Sequence, residues 1–179
     1  MNLNEFEAEI LLYIQNNIRC DFLTPIMEFV SLICEYGILW IVIGLIMLCM
    51  KRTRKCGIIV LTALLLSLIV NNAILKNLIM RVRPYDIMNE LAYLGIKPND
   101  YSFPSGHTAA SFCAAFAIAQ NRPPRYGIPA LLMAALVAVS RLYLGVHYPT
   151  DVAAGIVSGL LLAFAAKWSV TKLYRAETD

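Results

Sequence analysis

GIIVLTALLLSLIVNNAIL, residues 57–75, decides how the rest of the chain is read, because it runs for nineteen positions without a charge. A helix needs about 20 apolar residues to cross the hydrocarbon core of a bilayer, and this stretch has them. The run at 29–50 is also long enough to span. Three shorter apolar stretches follow at 108–120, 126–140 and 152–166. Each is short for a span, unless the polar residues at its end, His107, Arg141 and Asp151, sit in a protein-lined cavity just below the membrane surface. The chain therefore reads as all-α, an integral membrane helical bundle of about five transmembrane helices.

Composition agrees: 59% of the residues are hydrophobic and 15% charged, against roughly 45–50% and 25% in soluble domains. No linker, repeat or low-complexity run divides the sequence, so one membrane-embedded domain over 1–179 is expected. Residues 4–18 place Phe6, Ile10, Leu11, Ile14 and Ile18 at helical spacing among Glu, Gln and Asn, which predicts an N-terminal amphipathic helix lying on the membrane surface. Glu5, Glu7 and Glu9 at the start argue against a removable signal peptide.

The formal net charge of +3 is spread along the chain except at Lys51, Arg52, Arg54 and Lys55, which gives no support for a nucleic acid partner. Placing that cluster in the cytoplasm puts Arg122, Arg125, Lys167, Lys172 and Arg175 there too. The 84–104 connection and the ends of the spans that carry His107 and His147 then face outside. Cys20, Cys34, Cys49, Cys56 and Cys113 are odd in number and form no CxxC pair, so they read as small buried hydrophobes.

Three segments meet on that outer face. Lys76 and Arg83 are seven apart, nearly two turns of helix, and Pro84 then ends the helix; alone, they could be snorkelling cations at a boundary. Pro104, Ser105, Gly106 and His107 open a helix, where free N–H groups form an anion site or an ordinary cap. His147 and Asp151 are four apart and stack if His147 opens the last helix. A carboxylate on one imidazole nitrogen fixes the tautomer and frees the other to attack. Lys76, Arg83, Arg141, His107, His147 and Asp151 are six ionisable groups, three of them cations, and are costly to bury together unless an anion joins them. Asn71, Asn72 and Glu35 fall inside spans, where interhelical hydrogen bonding is the first expectation.

The segments fit KxxxxxxRP over 76–84, PSGH over 104–107 and SRxxxxxHxxxD over 140–151. In these motifs the chain resembles the type 2 phosphatidic acid phosphatase family, whose core is similar to that of vanadium haloperoxidases and acid phosphatases. The resemblance implies a metal-independent lipid phosphatase with its motif region at 76–151 and no cofactor. It implies that His147 attacks phosphorus, Asp151 supports His147 and His107 protonates the leaving oxygen. It further implies that Lys76, Arg83, Arg141 and the Ser105 and Gly106 backbone hold the phosphate, with no metal ligand set. The partners it implies are membrane lipids and a lipid phosphate or pyrophosphate. The small size is similar to undecaprenyl pyrophosphate phosphatases, with phosphatidylglycerophosphate or phosphatidic acid phosphatase as the alternative. A lipid binder or transporter would not need the His147–Asp151 pair.

Overall fold

The computed structural model describes residues 3–176, so positions 1, 2 and 177–179 of the expected domain lie outside the described residues. All regular structure among the described residues is helical. In chain order the helices are α1 (Leu3–Asn17), α2 (Leu23–Ile33), α3 (Ile38–Cys49), α4 (Arg54–Ser67), α5 (Lys76–Ile79), α6 (Pro84–Ile87), α7 (Gly106–Asn121), α8 (Pro124–Tyr143) and α9 (Pro149–Ala176).

The run expected to cross as one helix at 29–50 is broken. α2 and the segment from Glu35 to Cys49 meet at a bend of 45°. Tyr36 and Gly37 at the break have φ of 51° and 73°, a left-handed backbone that glycine adopts without a steric penalty. Counting this bent pair as one crossing, the structure has up to four spans by length and composition, the others being Arg54–Ile87, Pro124–Tyr143 and Pro149–Arg175. α7, with 16 residues, is short for a crossing and completes a bundle of five.

Its position explains why a short helix suffices. α7 packs against α4, α8 and α9, and Ala109, Cys113, Ala114, Ala115 and Ala117 on it have no exposed surface. Small residues on all sides let the neighbouring backbones come close, which is how helices associate where lipid removes the hydrophobic driving force. α9 meets this surface with Gly155 and Gly159; a Cβ at 159 would lie 2.9 Å from Ala109 O and Cys113 N. Large apolar side chains instead point outward, among them Ile41, Leu45, Ile46, Leu65, Leu132, Leu161 and Phe164. Such a surface is solvated by acyl chains.

Some polar groups within the bundle are bonded between helices. Trp40 Nε1 donates to Ser111 Oγ at 2.9 Å, and Ser158 Oγ donates to Asn71 Oδ1 at 2.6 Å. Asn71 lies in the π-type turn Leu68–Leu75 that joins α4 to α5, so its expected role in interhelical bonding holds. Cys34, Cys56 and Cys113 are buried as expected, whereas Cys20 and Cys49 are exposed; both of these stand at or beyond helix ends.

α1 does more than float on the surface. Phe6, Tyr13 and Ile18 are exposed, as an interfacial helix requires, but Leu11 and Glu7 are each only 1% exposed. Leu11 packs with Leu91 and Tyr148. Arg19, just after the helix, donates from Nε to Tyr143 O at 2.8 Å and from Nη1 to Ala92 O at 2.6 Å. These contacts dock α1 over the ends of α8 and α9.

Candidate functional site

At one end of the bundle the structure gathers the residues of the three motif segments. α8 delivers Arg141, the turn between α8 and α9 delivers His147, the first turn of α9 delivers Asp151, and the start of α7 delivers Ser105, Gly106 and His107. Lys76 begins α5, and Arg83 stands just before α6. Lys76, Arg83, Ser105, Arg141, His147 and Asp151 are all buried.

Two local expectations change. Lys76 and Arg83 do not share a helical face, because the helix ends at Ile79 with Met80 at φ 50°. Arg83 is extended, with ψ 153°, since a residue before proline is driven out of the α region; Pro84 starts a new short helix rather than ending an old one. His147 likewise does not open the last helix, which begins at Pro149. It lies in the preceding turn, where Gly145 has φ 73°.

His147 is held from both sides. Its Nδ1 lies 3.5 Å from Asp151 Oδ2 and 3.4 Å from Ser102 Oγ. Its Nε2 lies 3.3 Å from Arg83 Nη1. A guanidinium only donates, so Nε2 is the accepting nitrogen and Nδ1 carries the hydrogen. Burial pushes the imidazole down to about 3, and the nearby Arg83 and Arg141 act in the same direction. The ring is thus neutral at ordinary pH, with its lone pair on Nε2, the nitrogen that faces the cations.

Asp151 is more completely bonded than the expected His–Asp pair. Oδ2 accepts from Ser102 Oγ at 2.5 Å and from Tyr148 N at 2.9 Å, and Oδ1 accepts from Arg81 Nη1 at 2.7 Å. Ser102 donates to Asp151, so its oxygen lone pairs are free to accept from His147 Nδ1–H. The serine is a bridge where the direct contact is long.

On the other side the cations crowd. Arg83 donates from Nη1 to Val146 O at 2.7 Å and from Nη2 to Asp100 Oδ1 at 2.5 Å. Lys76 pairs with the other carboxylate oxygen of Asp100. The Asp100 side chain is half exposed; partial burial would raise its carboxyl, but Lys76 and Arg83 outweigh that and hold it below the usual range. Arg141 donates to Ser31 Oγ, while its buried Nε has no hydrogen-bond partner. A buried guanidinium with an unsatisfied N–H beside two further cations is an anion-binding arrangement by its chemistry.

The start of α7 contributes less backbone than expected. Ser105 N donates to Asp151 O at 3.0 Å, so that N–H is already engaged. Its hydroxyl accepts from Thr108 Oγ1 at 3.0 Å. The N–H groups of Gly106, His107 and Thr108 form the first turn, which has no partners within the helix. A Cβ at 106 would lie 3.1 Å from Asn72 Oδ1, so glycine lets Asn72 approach. His107 is partly buried on that same turn.

Reading by motif passed over four of these residues. Ser102 stands two positions before PSGH, Arg81 lies inside KxxxxxxRP, Asp100 ends a loop of no fixed pattern, and Glu7 is remote in sequence. For Arg81 and Ser102 a signal existed in their closeness to matched segments. For Glu7 and Asp100 there was none, since each is defined by what it meets across the fold.

The description PAP2 superfamily matches residues 57–175, and the chain belongs to that family. It is 33% identical over 161 residues to an undecaprenyl-diphosphatase from Sulfolobus acidocaldarius, covering 89% of this chain and 76% of the relative. It is 29% identical over 177 residues to the bacitracin transport permease protein BcrC of Bacillus licheniformis, covering 97% of this chain and 85% of the other. Its fold superposes with a TM-score of 0.76 and 30% identity on the crystal structure of a transmembrane PAP2 type phosphatidylglycerolphosphate phosphatase from Bacillus subtilis, over 95% of this chain and 87% of that one. The chain is a multi-pass membrane lipid phosphatase.

Proposed function

We propose that this phosphatase converts undecaprenyl pyrophosphate to undecaprenyl phosphate through a phosphohistidine at His147, working on the extracytoplasmic side of the membrane. The observation that carries the chemistry is the two-sided environment of His147, with a bonded carboxylate behind Nδ1 and, at Nε2, Arg83, which clusters with Lys76 and Arg141. The similarity to an undecaprenyl-diphosphatase over most of both chains supports the substrate. The basic loop at 51–55 and the basic residues 122, 125, 167, 172 and 175 support the orientation, since they fall on the opposite side of the bundle from the site.

In the first step the Nε2 lone pair attacks the terminal phosphorus. The N–P bond forms, the P–O bond to the bridging oxygen breaks, and its electron pair leaves with the lipid phosphate. His107 gives that oxygen a proton. Asp151, through Ser102 and its own Oδ2, stabilises the positive charge that the ring gains. Lys76, Arg83, Arg141 and the N–H groups of the first turn of α7 hold the phosphoryl oxygens, supplying the charge stabilisation such transfers depend on. In the second step water attacks phosphorus, His107 takes its proton, the N–P bond breaks, and inorganic phosphate leaves with His147 neutral again.

The test is phosphate release by purified protein in detergent from a competing panel of undecaprenyl pyrophosphate, phosphatidylglycerophosphate and phosphatidate. The isoprenyl diphosphate is expected to win on kcat/KM; preference for a glycerolipid would overturn the substrate assignment. His147→Ala should lose about 10³-fold or more in kcat, and retained turnover would remove it as nucleophile.

A further inference from the structure

Glu7 is the least expected buried group in the molecule. It lies in the first turns of an amphipathic helix whose other described acidic side chains, Glu5 and Glu9, are exposed, yet it is itself 1% exposed. An isolated carboxylate is not buried at such a place without strong compensation. Here each oxygen is bonded. Glu7 Oε2 accepts from Arg81 Nη2 at 2.6 Å. Glu7 Oε1 accepts from Thr150 N at 2.8 Å and from Thr150 Oγ1 at 2.6 Å. Glu7 thereby caps the first turn of α9 from another helix, one residue before Asp151.

Arg81 completes the connection. While one nitrogen holds Glu7, the other, Nη1, donates to Asp151 Oδ1 and Thr150 Oγ1, each at 2.7 Å. Its guanidinium lies 3.8 Å over the Tyr148 ring, and its backbone carbonyl accepts from Ser102 N at 2.8 Å. One residue thus touches Asp151 with its side chain and Ser102 with its main chain, the two groups behind His147 Nδ1. We propose that Glu7 and Arg81 are a positioning pair that sets the orientation and charge of Asp151, making α1 part of the reacting apparatus. This rests on the reading of His147 as nucleophile and Asp151 as its support.

The charge arithmetic explains why two residues are used. Arg81 alone would neutralise Asp151 and weaken its hold on the imidazole as the ring gains positive charge. Glu7 restores a net single negative charge to the cluster Asp151, Arg81 and Glu7, while the guanidinium fork fixes the carboxylate plane. The side-chain hydrogen bonds of the pair run to each other, Thr150 and Asp151, so the pair acts on the rate of the chemical step rather than on binding.

The experiment compares wild type, Glu7→Gln, Arg81→Ala and the double variant, measuring kcat, KM and inhibition by inorganic phosphate for the best lipid substrate, with thermal unfolding alongside. Arg81→Ala is expected to lower kcat by about ten-fold or more, the scale of one lost charge-assisted hydrogen bond. KM and the phosphate inhibition constant should stay within about three-fold of wild type. Glu7→Gln keeps the shape and should lower kcat several-fold. In the Arg81→Ala background it should raise kcat, because it removes a second negative charge, left without its counter-charge, beside Asp151.

Unchanged kcat in Glu7→Gln and Arg81→Ala would overturn the proposal. So would KM and phosphate inhibition moving together with kcat by more than about three-fold, which marks a merely structural contact. If Arg81→Ala does not yield folded protein, the isosteric Glu7→Gln decides on the same kcat criterion. An inactive wild type would instead bring down the phosphatase reading, and this proposal with it; that arm is read first.

Discussion

The two sides of His147 are built on opposite principles. Behind Nδ1, every charge has its partners: Asp151 is bonded by Ser102, Tyr148 and Arg81, and Arg81 in turn by Glu7. In front of Nε2, Lys76 and Arg83 share one half-exposed carboxylate, that of Asp100, while Arg141 donates to Ser31 and its Nε has no partner at all. A saturated network is stiff and stabilising, whereas a crowd of like charges is held together against its own repulsion. The difference separates a part that must not move from a part whose missing complement is a phosphate.

The comparison is broken most severely at Arg141. Replacing it with alanine should lower kcat by about 10²–10³-fold, as for other oriented donors to a phosphoryl or oxyanion group. The unfolding temperature should nonetheless hold or rise, because a buried cation next to Arg83 is removed; a stability–activity trade of this kind marks a site charged for function. Arg81→Ala should do the reverse and lower the unfolding temperature. If both variants melt lower than wild type, the contrast between the two sides is wrong.

A milder break is Ser102→Ala. Asp151 Oδ2 keeps the Tyr148 N–H, so kcat should fall only about ten-fold, the equivalent of one hydrogen bond to a charged group. KM should be unaffected. A loss as large as that of His147→Ala would mean that the serine itself takes part in bond making.

The smallest and most informative change is Asp100→Asn. The carboxylate on Lys76 and Arg83 competes with incoming phosphate, so the variant should show KM and phosphate inhibition constants lowered by about two- to five-fold, the range of one partly screened charge. The stability that the Asp100 carboxylate gives the wild type should follow pH in a defined way. Because the folded carboxyl is held below its ordinary range, the ion pairs contribute fully above the unfolded value of about 3.9 and are lost as pH falls through the folded value. The difference in unfolding temperature between wild type and Asp100→Asn should therefore be constant from about pH 6 to 8 and shrink below about pH 4.

Much of this contrast was already visible in the chain. The five apolar segments gave the bundle, and the three motif segments brought Lys76, Arg83, Arg141, His107, His147 and Asp151 to one end, because alternating crossings leave few other arrangements. Periodicity could not show the bend at Tyr36 and Gly37, since an apolar run looks the same whether straight or broken. Nor could it show that Met80 leaves the helix early, which moves Arg83 from a helical face to an extended connection. Glu7 and Asp100 escaped for another reason. A carboxylate in an amphipathic helix or a polar loop is ordinary in sequence, and only its partner across the fold gives it a meaning.

The glycine contacts between α7 and α9 set a dimension as well as a packing density. His107 rides on the first turn of α7 and Asp151 on the first turn of α9, and the two helices touch through Gly155 and Gly159 with no room for a Cβ at 159. The seam acts as a gauge block: it fixes how far His107 stands from Asp151, from a point inside the membrane two to three turns away. A methyl group there would widen the gap at the reacting end by a fraction of an ångström to about an ångström, and displacements of that size cost catalysis heavily. The bundle interior, without touching substrate, thus holds the tolerance to which the active site is made.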